Sequence, residues 1–156
     1  MVQKVSGVDD VFKLWWLIAR TRDALHRARV KELRRFNIST SEAVVLFLIP
    51  VLGKKATIGQ ISHLSFRAFH SVSGLINRME KDGLVRKVQD LNKRSSRIVM
   101  APKGRKAYRS SLERVSMHNI LSSLSTEEQR QLTSMMHKLH SRALKELEIK
   151  SELPWT

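Results

Sequence analysis

Between Arg67 and Arg78 the chain carries His70, Ser71, Ser73, Asn77 and Arg78, side chains that offer hydrogen-bond donors and acceptors without forming a nucleophile–base pair. In the same segment Val72, Leu75, Ile76 and Met79 stand at i, i+3, i+4 and i+7, one apolar stripe of a helix, so the polar groups fall on the other side with Gly74 among them. A polar face of small residues suits contact with a patterned hydrogen-bonding edge. A second set is cationic: from residue 84 to residue 106 stand Arg86, Lys87, Lys93, Arg94, Arg97, Lys103, Arg105 and Lys106 against the single acid Asp90. Such a cluster neutralises phosphates. His137 and His140 have the i, i+3 spacing of metal ligands, yet no carboxylate or thiolate partner is apparent nearby in sequence, so no metal or other cofactor is expected. Only Glu80, Asp82 and Asp90 supply acids between residues 51 and 110, and no nucleophile elbow or phosphate loop is present, so the sequence does not read as an enzyme. With no cysteine, thiol catalysis, thiol redox sensing and disulfides are excluded.

The charge sits where those residues are. Of a formal +15 in 156 residues, residues 1–50 hold 9 basic and 5 acidic side chains, residues 51–110 hold 14 and 3, and residues 111–156 hold 6 of each. A surplus confined to the middle of the chain implies a polyanionic partner for that part and structural ends on either side. Hydrophobic residues make up 42% and charged residues 28%, which is the balance of a folded domain and not of a basic tail. The apolar run from Ala43 to Leu52 is broken by Pro50 and too short for a membrane span, and the N-terminal residues lack an apolar signal region; a cytoplasmic protein with no membrane partner is expected.

The elements that must position these side chains are mostly helical. Ser39-x-x-Glu42, Thr57-x-x-Gln60 and Ser125-x-x-Glu128 each read as a capping box, in which hydroxyl and carboxylate or amide satisfy one another's backbone N–H groups. A long first helix is expected from Asp9 to Arg35, on which Trp15 and Trp16 occupy adjacent positions and cannot share a face. A second, almost wholly apolar helix from Thr40 to Val51 should lie in the core. A short third follows from Ile58 to about Leu64, and the fourth, starting near Phe69, stops at Asp82-Gly83. Residues 84–88 and 97–100 read as a β-hairpin around a polar loop. Pro102 suits the first position of a fifth helix expected to run unbroken through Leu124, and a sixth follows the Ser125 cap.

Helix, turn, helix, then hairpin is the order of a winged helix-turn-helix, whose second helix enters a major groove while the wing reaches the flanking backbone or minor groove. The run Val72-Ser-Gly-Leu-Ile-Asn-Arg-Met-Glu-Lys-Asp-Gly-Leu-Val-Arg86, followed by Asp90-Leu-Asn-Lys-Arg94 and by Ala101-Pro-Lys-Gly104, resembles the MarR family of transcription regulators over about residues 38–108. The resemblance implies a homodimer on a palindromic site in double-stranded DNA, repressing until a small aromatic effector or other signal relieves it. It places Arg94 at the wing arginine of the minor groove, Asn92 where an aspartate is usual, Met100-Ala101 where a Leu-Thr pair would cap the next helix, and Gly74 where a recognition-helix arginine is common.

The expected architecture is therefore mainly α with a small β-hairpin wing, a single domain over 1–156: a winged helix-turn-helix lobe at 38–108 between dimerisation helices at 9–36 and 109–150. DNA contacts are expected from Arg67, His70, Ser71, Ser73, Asn77, Arg78, Lys93, Arg94 and Arg97. The dimer interface is expected to bury Trp15, Leu25, Leu121, Leu124, Leu132, Met136 and Leu139. A basic winged helix that binds RNA or docks a protein partner is the alternative reading, and preference for a short inverted repeat over random duplex separates the two.

Overall fold

The computed structural model describes residues 9–89 and 95–150. Asp9 caps α1 (Asp10–Leu33) by accepting from the Phe12 N–H, and a 3₁₀ turn at Arg34–Phe36 leads to Asn37 in the left-handed region. Ser39 opens α2 (Thr40–Leu52) with a complete capping box: its hydroxyl accepts from the Glu42 N–H, and Glu42 accepts from the Ser39 N–H at 2.7 Å. Thr57 supplies the hydroxyl half for α3 (Ile58–Ser65), and α4 (Phe69–Lys81) begins at Ala68 without a side-chain cap. Strands β1 (Val85–Val88) and β2 (Arg97–Met100) pair antiparallel, with Val85 opposite Met100 and Val88 opposite Arg97. Three further helices follow: α5 (Pro102–Ser111), α6 (Val115–Leu121) and α7 (Thr126–Glu146), the last behind a complete Ser125–Glu128 box.

The core lies between α2, α3, α4 and the base of the hairpin. Val45, Leu46, Leu48 and Ile49 of α2 meet Ile61 of α3, Val72, Leu75, Ile76 and Met79 of α4, and Leu84, Val85 and Ile98. Fully burying an aliphatic side chain of this size contributes about 1.5–3 kcal/mol. The four buried residues of α4 therefore fix its rotation, and with it the face that it turns outward. The hairpin is held by backbone bonds: the Leu84 N–H donates to Met79 O at 2.8 Å, Ile98 to Ala56 O at 2.7 Å and Ala101 to Leu84 O at 3.0 Å. Gly104 lets α5 come this close, since a Cβ there would stand 1.9 Å from the Leu84 carbonyl oxygen.

The fifth helix differs from the sequence expectation. It does not run through to Leu124 but ends at Ser111, and α6 starts afresh after Arg114, which sits in the left-handed region at φ 48°. The cause is Glu32 near the end of α1, a buried carboxylate only 7% exposed. It accepts from the Val115 N–H at 2.7 Å and from the Ser116 hydroxyl, while Arg29 pairs with it at 2.8 Å and donates to the Ser111 carbonyl. Left-handed backbone costs a non-glycine residue about 1–2 kcal/mol, whereas hydrogen bonds to a charged group contribute about 1.5–3 kcal/mol each. The break is thus a tertiary effect that overrides a locally helix-compatible sequence. Arg114 then lays its guanidinium 5.9 Å from the ring centre of Phe47 on α2.

Helix α7 buries none of its residues, and its apolar stripe stays open, with Leu132 at 38%, Met136 at 46% and Leu139 at 49% exposure. The first turns of α1 are open as well, and there Phe12 gathers both tryptophans, its ring 5.5 Å from Trp15 and 6.3 Å from Trp16, with 6.2 Å between the two indoles. Adjacent positions did not keep them apart, because both rings lean back onto the preceding turn. Among the described residues no single helix is long and apolar enough to cross a membrane.

Candidate nucleic-acid interface

The polar face of α4 is on the surface. His70, Ser71, Asn77 and Arg78 are exposed and Ser73 is half-buried, while the core stripe occupies the other side. Arg67 is exposed in the turn before α4, where its backbone N–H donates to Ser62 O at 3.1 Å. Arg97 is half-buried at the start of β2. The structure thus brings the α4 residues and Arg67 to one side of the helix-turn-helix. Lys93 and Arg94, the expected phosphate-gripping residues of the hairpin tip, lie outside the described residues, as do Asp90 and Asn92. The α4 N-terminus has no side-chain cap, so the amides of its first turn are a site where phosphate oxygens can be held. Ala101 caps α5 with no side chain, and Pro102 at the first helical position needs no donor there.

Gly74 lies near the middle of the exposed face. Its φ is not in the left-handed region, and a Cβ on it would meet only Arg78 Nη1, at 3.7 Å. Nothing among the described residues calls for glycine at that position.

The link between α4 and the hairpin was not foreseen from sequence. Lys87 reaches back from β1: its ammonium donates to Asn77 Oδ1 and stands 3.4 Å from Glu80 Oε2, while its backbone N–H donates to Glu80 Oε1 at 2.9 Å. That backbone donor, outweighing partial burial and reinforced by the ammonium, holds the Glu80 carboxyl below its ordinary value. Lys87 is therefore engaged with the polar face of α4. The signal available in sequence was Glu80 seven residues before Lys87, across a Gly83 turn, in a segment poor in acids. Glu32 was missed for a similar reason. It is a lone acid in the basic run from Arg27 to Arg35, and only the fold shows that Arg29, Ser116 and Val115 converge on it.

Of the residues expected at a dimer interface, Trp15, Leu121, Leu132, Met136 and Leu139 are exposed in the single chain, and Leu25 and Leu124 are half-buried. His140 meets the ring of Phe66, which ends α3, edge-on at 6.3 Å between ring centres. A groove of about 570 Å³ opens between the turn at Arg35–Ile38, Asp82, Leu84 and the α5 residues Lys103, Lys106 and Ala107.

No protein-family model matches the sequence, and neither does any curated protein. Solved structures do match. The organohalide-sensing RdhR transcriptional regulator, seen both ligand-free and bound to 2,4-dichlorophenol, is 28% identical, with a TM-score of 0.80 over 92% of this chain and 87% of its own. A MarR family protein from Bacillus stearothermophilus is 27% identical, with a TM-score of 0.71 over 85% of this chain and 94% of its own. A mutant MarR from E. coli complexed with operator DNA shares the fold at 16% identity, with a TM-score of 0.76 over 83% of this chain and 95% of its own. An open helix after the turn, a two-stranded wing and long flanking helices accompany this likeness over most of the chain, which is thus similar in fold to the MarR-family winged-helix regulators.

Proposed function

We propose that the chain regulates transcription as a homodimer that binds an inverted repeat in double-stranded DNA and represses until a small aromatic effector releases it. The observation that carries this reading is the α4 face: polar, exposed, fixed in rotation by four buried residues, and flanked by a basic hairpin. Arg67, His70, Ser71, Ser73, Asn77 and Arg78 contact base edges and nearby phosphates, while Lys93, Arg94 and Arg97 hold the backbone beside them. The open stripe of α7 and the apolar first turns of α1 support dimerisation through Trp15, Leu25, Leu121, Leu124, Leu132, Met136 and Leu139, which sets two α4 helices about one DNA turn, roughly 34 Å, apart. For the effector, the groove beside α5 sets Phe36, Ile38 and Leu84 among Arg35, Lys103 and Lys106 and the carboxylates of Glu42 and Asp82, a lining that offers an aromatic ring apolar contact and its polar substituents both charges.

The test is selection of bound duplexes from random DNA, followed by salt titration of the winning sequence. An inverted repeat and a steep fall of affinity with salt, shallower by about one unit of log–log slope in Arg97→Ala, are expected. Retention of random duplex without a consensus, or a nearly flat salt slope, refutes the reading and favours an RNA-binding or protein-docking module.

A further inference from the structure

Asn77 stands on the side of α4 opposite the buried stripe, and its amide could in principle both donate through Nδ2 and accept through Oδ1. The Lys87 ammonium donates to that Oδ1, and Glu80 holds Lys87 in place through both the ammonium and the backbone N–H. An ammonium has only hydrogens to offer, so the two ends of the amide are not interchangeable: the oxygen faces Lys87 and the NH₂ group is directed away from it.

We propose that Lys87 determines specificity by making Asn77 a better donor than acceptor toward DNA, which favours guanine over adenine at the base pair it meets. This rests on the DNA-binding reading given above. To pair with adenine, an asparagine must accept from the N6 amino group with Oδ1 while donating to N7. With one lone pair of Oδ1 engaged by a positive charge, an incoming amino hydrogen must use the remaining lone pair beside a like partial charge, which weakens that bond. Guanine presents two acceptors in the major groove, N7 and O6, so the two Nδ2 hydrogens alone can serve it. Lys87 here is a positioning residue: it acts on the base through Asn77, and Glu80 acts through Lys87.

The experiment is duplex selection from a random pool with the full-length protein and three variants, Asn77→Ala, Lys87→Met and Lys87→Arg. In the unaltered protein, the position whose preference disappears in Asn77→Ala is expected to be a G·C pair. Lys87→Met, which keeps the length of the side chain but frees Oδ1, should move that position toward A·T, changing the guanine-to-adenine ratio by about tenfold. Lys87→Arg restores donors and should restore guanine, a rescue that a purely structural role of Lys87 would not produce. Adenine at the Asn77-dependent position in the unaltered protein, guanine retained in Lys87→Met, or an Asn77→Ala consensus identical to the parent would each overturn the proposal while leaving DNA binding intact. Absence of any consensus in the unaltered protein would instead defeat the DNA-binding reading, and this inference with it.

Discussion

Replacing Gly74 with alanine should make the protein more stable and a poorer DNA binder at once. In the interior of a helix glycine is about 0.5–1 kcal/mol less favourable than alanine, because its backbone has more freedom to lose. Whether that gain is realised depends on the room for a methyl group. At Gly74 the nearest atom is Arg78 Nη1 at 3.7 Å, an ordinary contact with the far end of a flexible side chain, so nothing offsets the gain. For a domain of this length 1 kcal/mol corresponds to about 2–4 °C, so Gly74→Ala should raise the melting temperature by about 1–4 °C. The same methyl group protrudes from the middle of the face assigned to the major groove. If that face meets bases closely, the helix must stand off, and the loss of one or two hydrogen bonds at about 0.5–1.5 kcal/mol each weakens operator binding by roughly 2- to 150-fold. Urea unfolding measures the first effect and fluorescence anisotropy on a selected duplex the second. A more stable variant with unchanged affinity would show that this face does not approach DNA, and a less stable variant would show that α4 is not packed as described.

Three further outcomes follow from the same geometry. Gly104→Ala should have the opposite sign in stability, losing about 1–3 kcal/mol by chemical denaturation, because the new Cβ meets the Leu84 carbonyl at 1.9 Å and backbone must move; a neutral result would contradict the close approach of α5 to the hairpin. At Glu32, burial alone would raise the carboxyl, but hydrogen bonds from Ser116, Arg29 and Val115 and the charge of Arg29 outweigh it and hold the folded state below the ordinary 4.5. Its contribution is therefore fully present above pH 4.5 and fades as pH falls through the lower folded value; Glu32→Gln should be destabilised at pH 7 and lose less stability than the parent on acidification, and parallel pH profiles of melting temperature would refute the assignment. On the proposed dimer, Leu139→Glu, placing a charge in the open stripe of α7, should yield particles near the 18.0 kDa monomer mass by light scattering where the parent should give twice that mass, and a dimer unchanged by the substitution would move the interface elsewhere.

What could be read in advance, and what could not, divides by the range of the interactions involved. The α4 stripe and its polar face follow from i, i+3, i+4, i+7 spacing. The Ser39 and Ser125 starts follow from side chains that bond within three residues, and the hairpin bounds follow from β-branched pairs around a polar loop. Each of these is local, so the sequence window contains the whole cause. The α5–α6 break is not local: Leu112, Glu113 and Arg114 carry no helix breaker, and the carboxylate that pulls Val115 and Ser116 out of register stands more than eighty residues away on α1. A buried acid that must be paired has more at stake than three residues of helix propensity, and the chain bends to satisfy it.

The same distinction applies to the site. Exposure of His70, Ser71, Asn77 and Arg78 was legible because their burial is set by the stripe behind them. The hydrogen-bonding state in which Asn77 is presented was not, because it depends on a strand ten residues on folding back so that Lys87 and Glu80 can meet it. Which residues face a partner is thus written in the period of a single helix, whereas what those residues can say to the partner is decided by the element packed beside it. On the proposed DNA-binding reading the unit of recognition is accordingly α4 together with β1, and substitutions on the strand should change base preference as surely as substitutions on the helix.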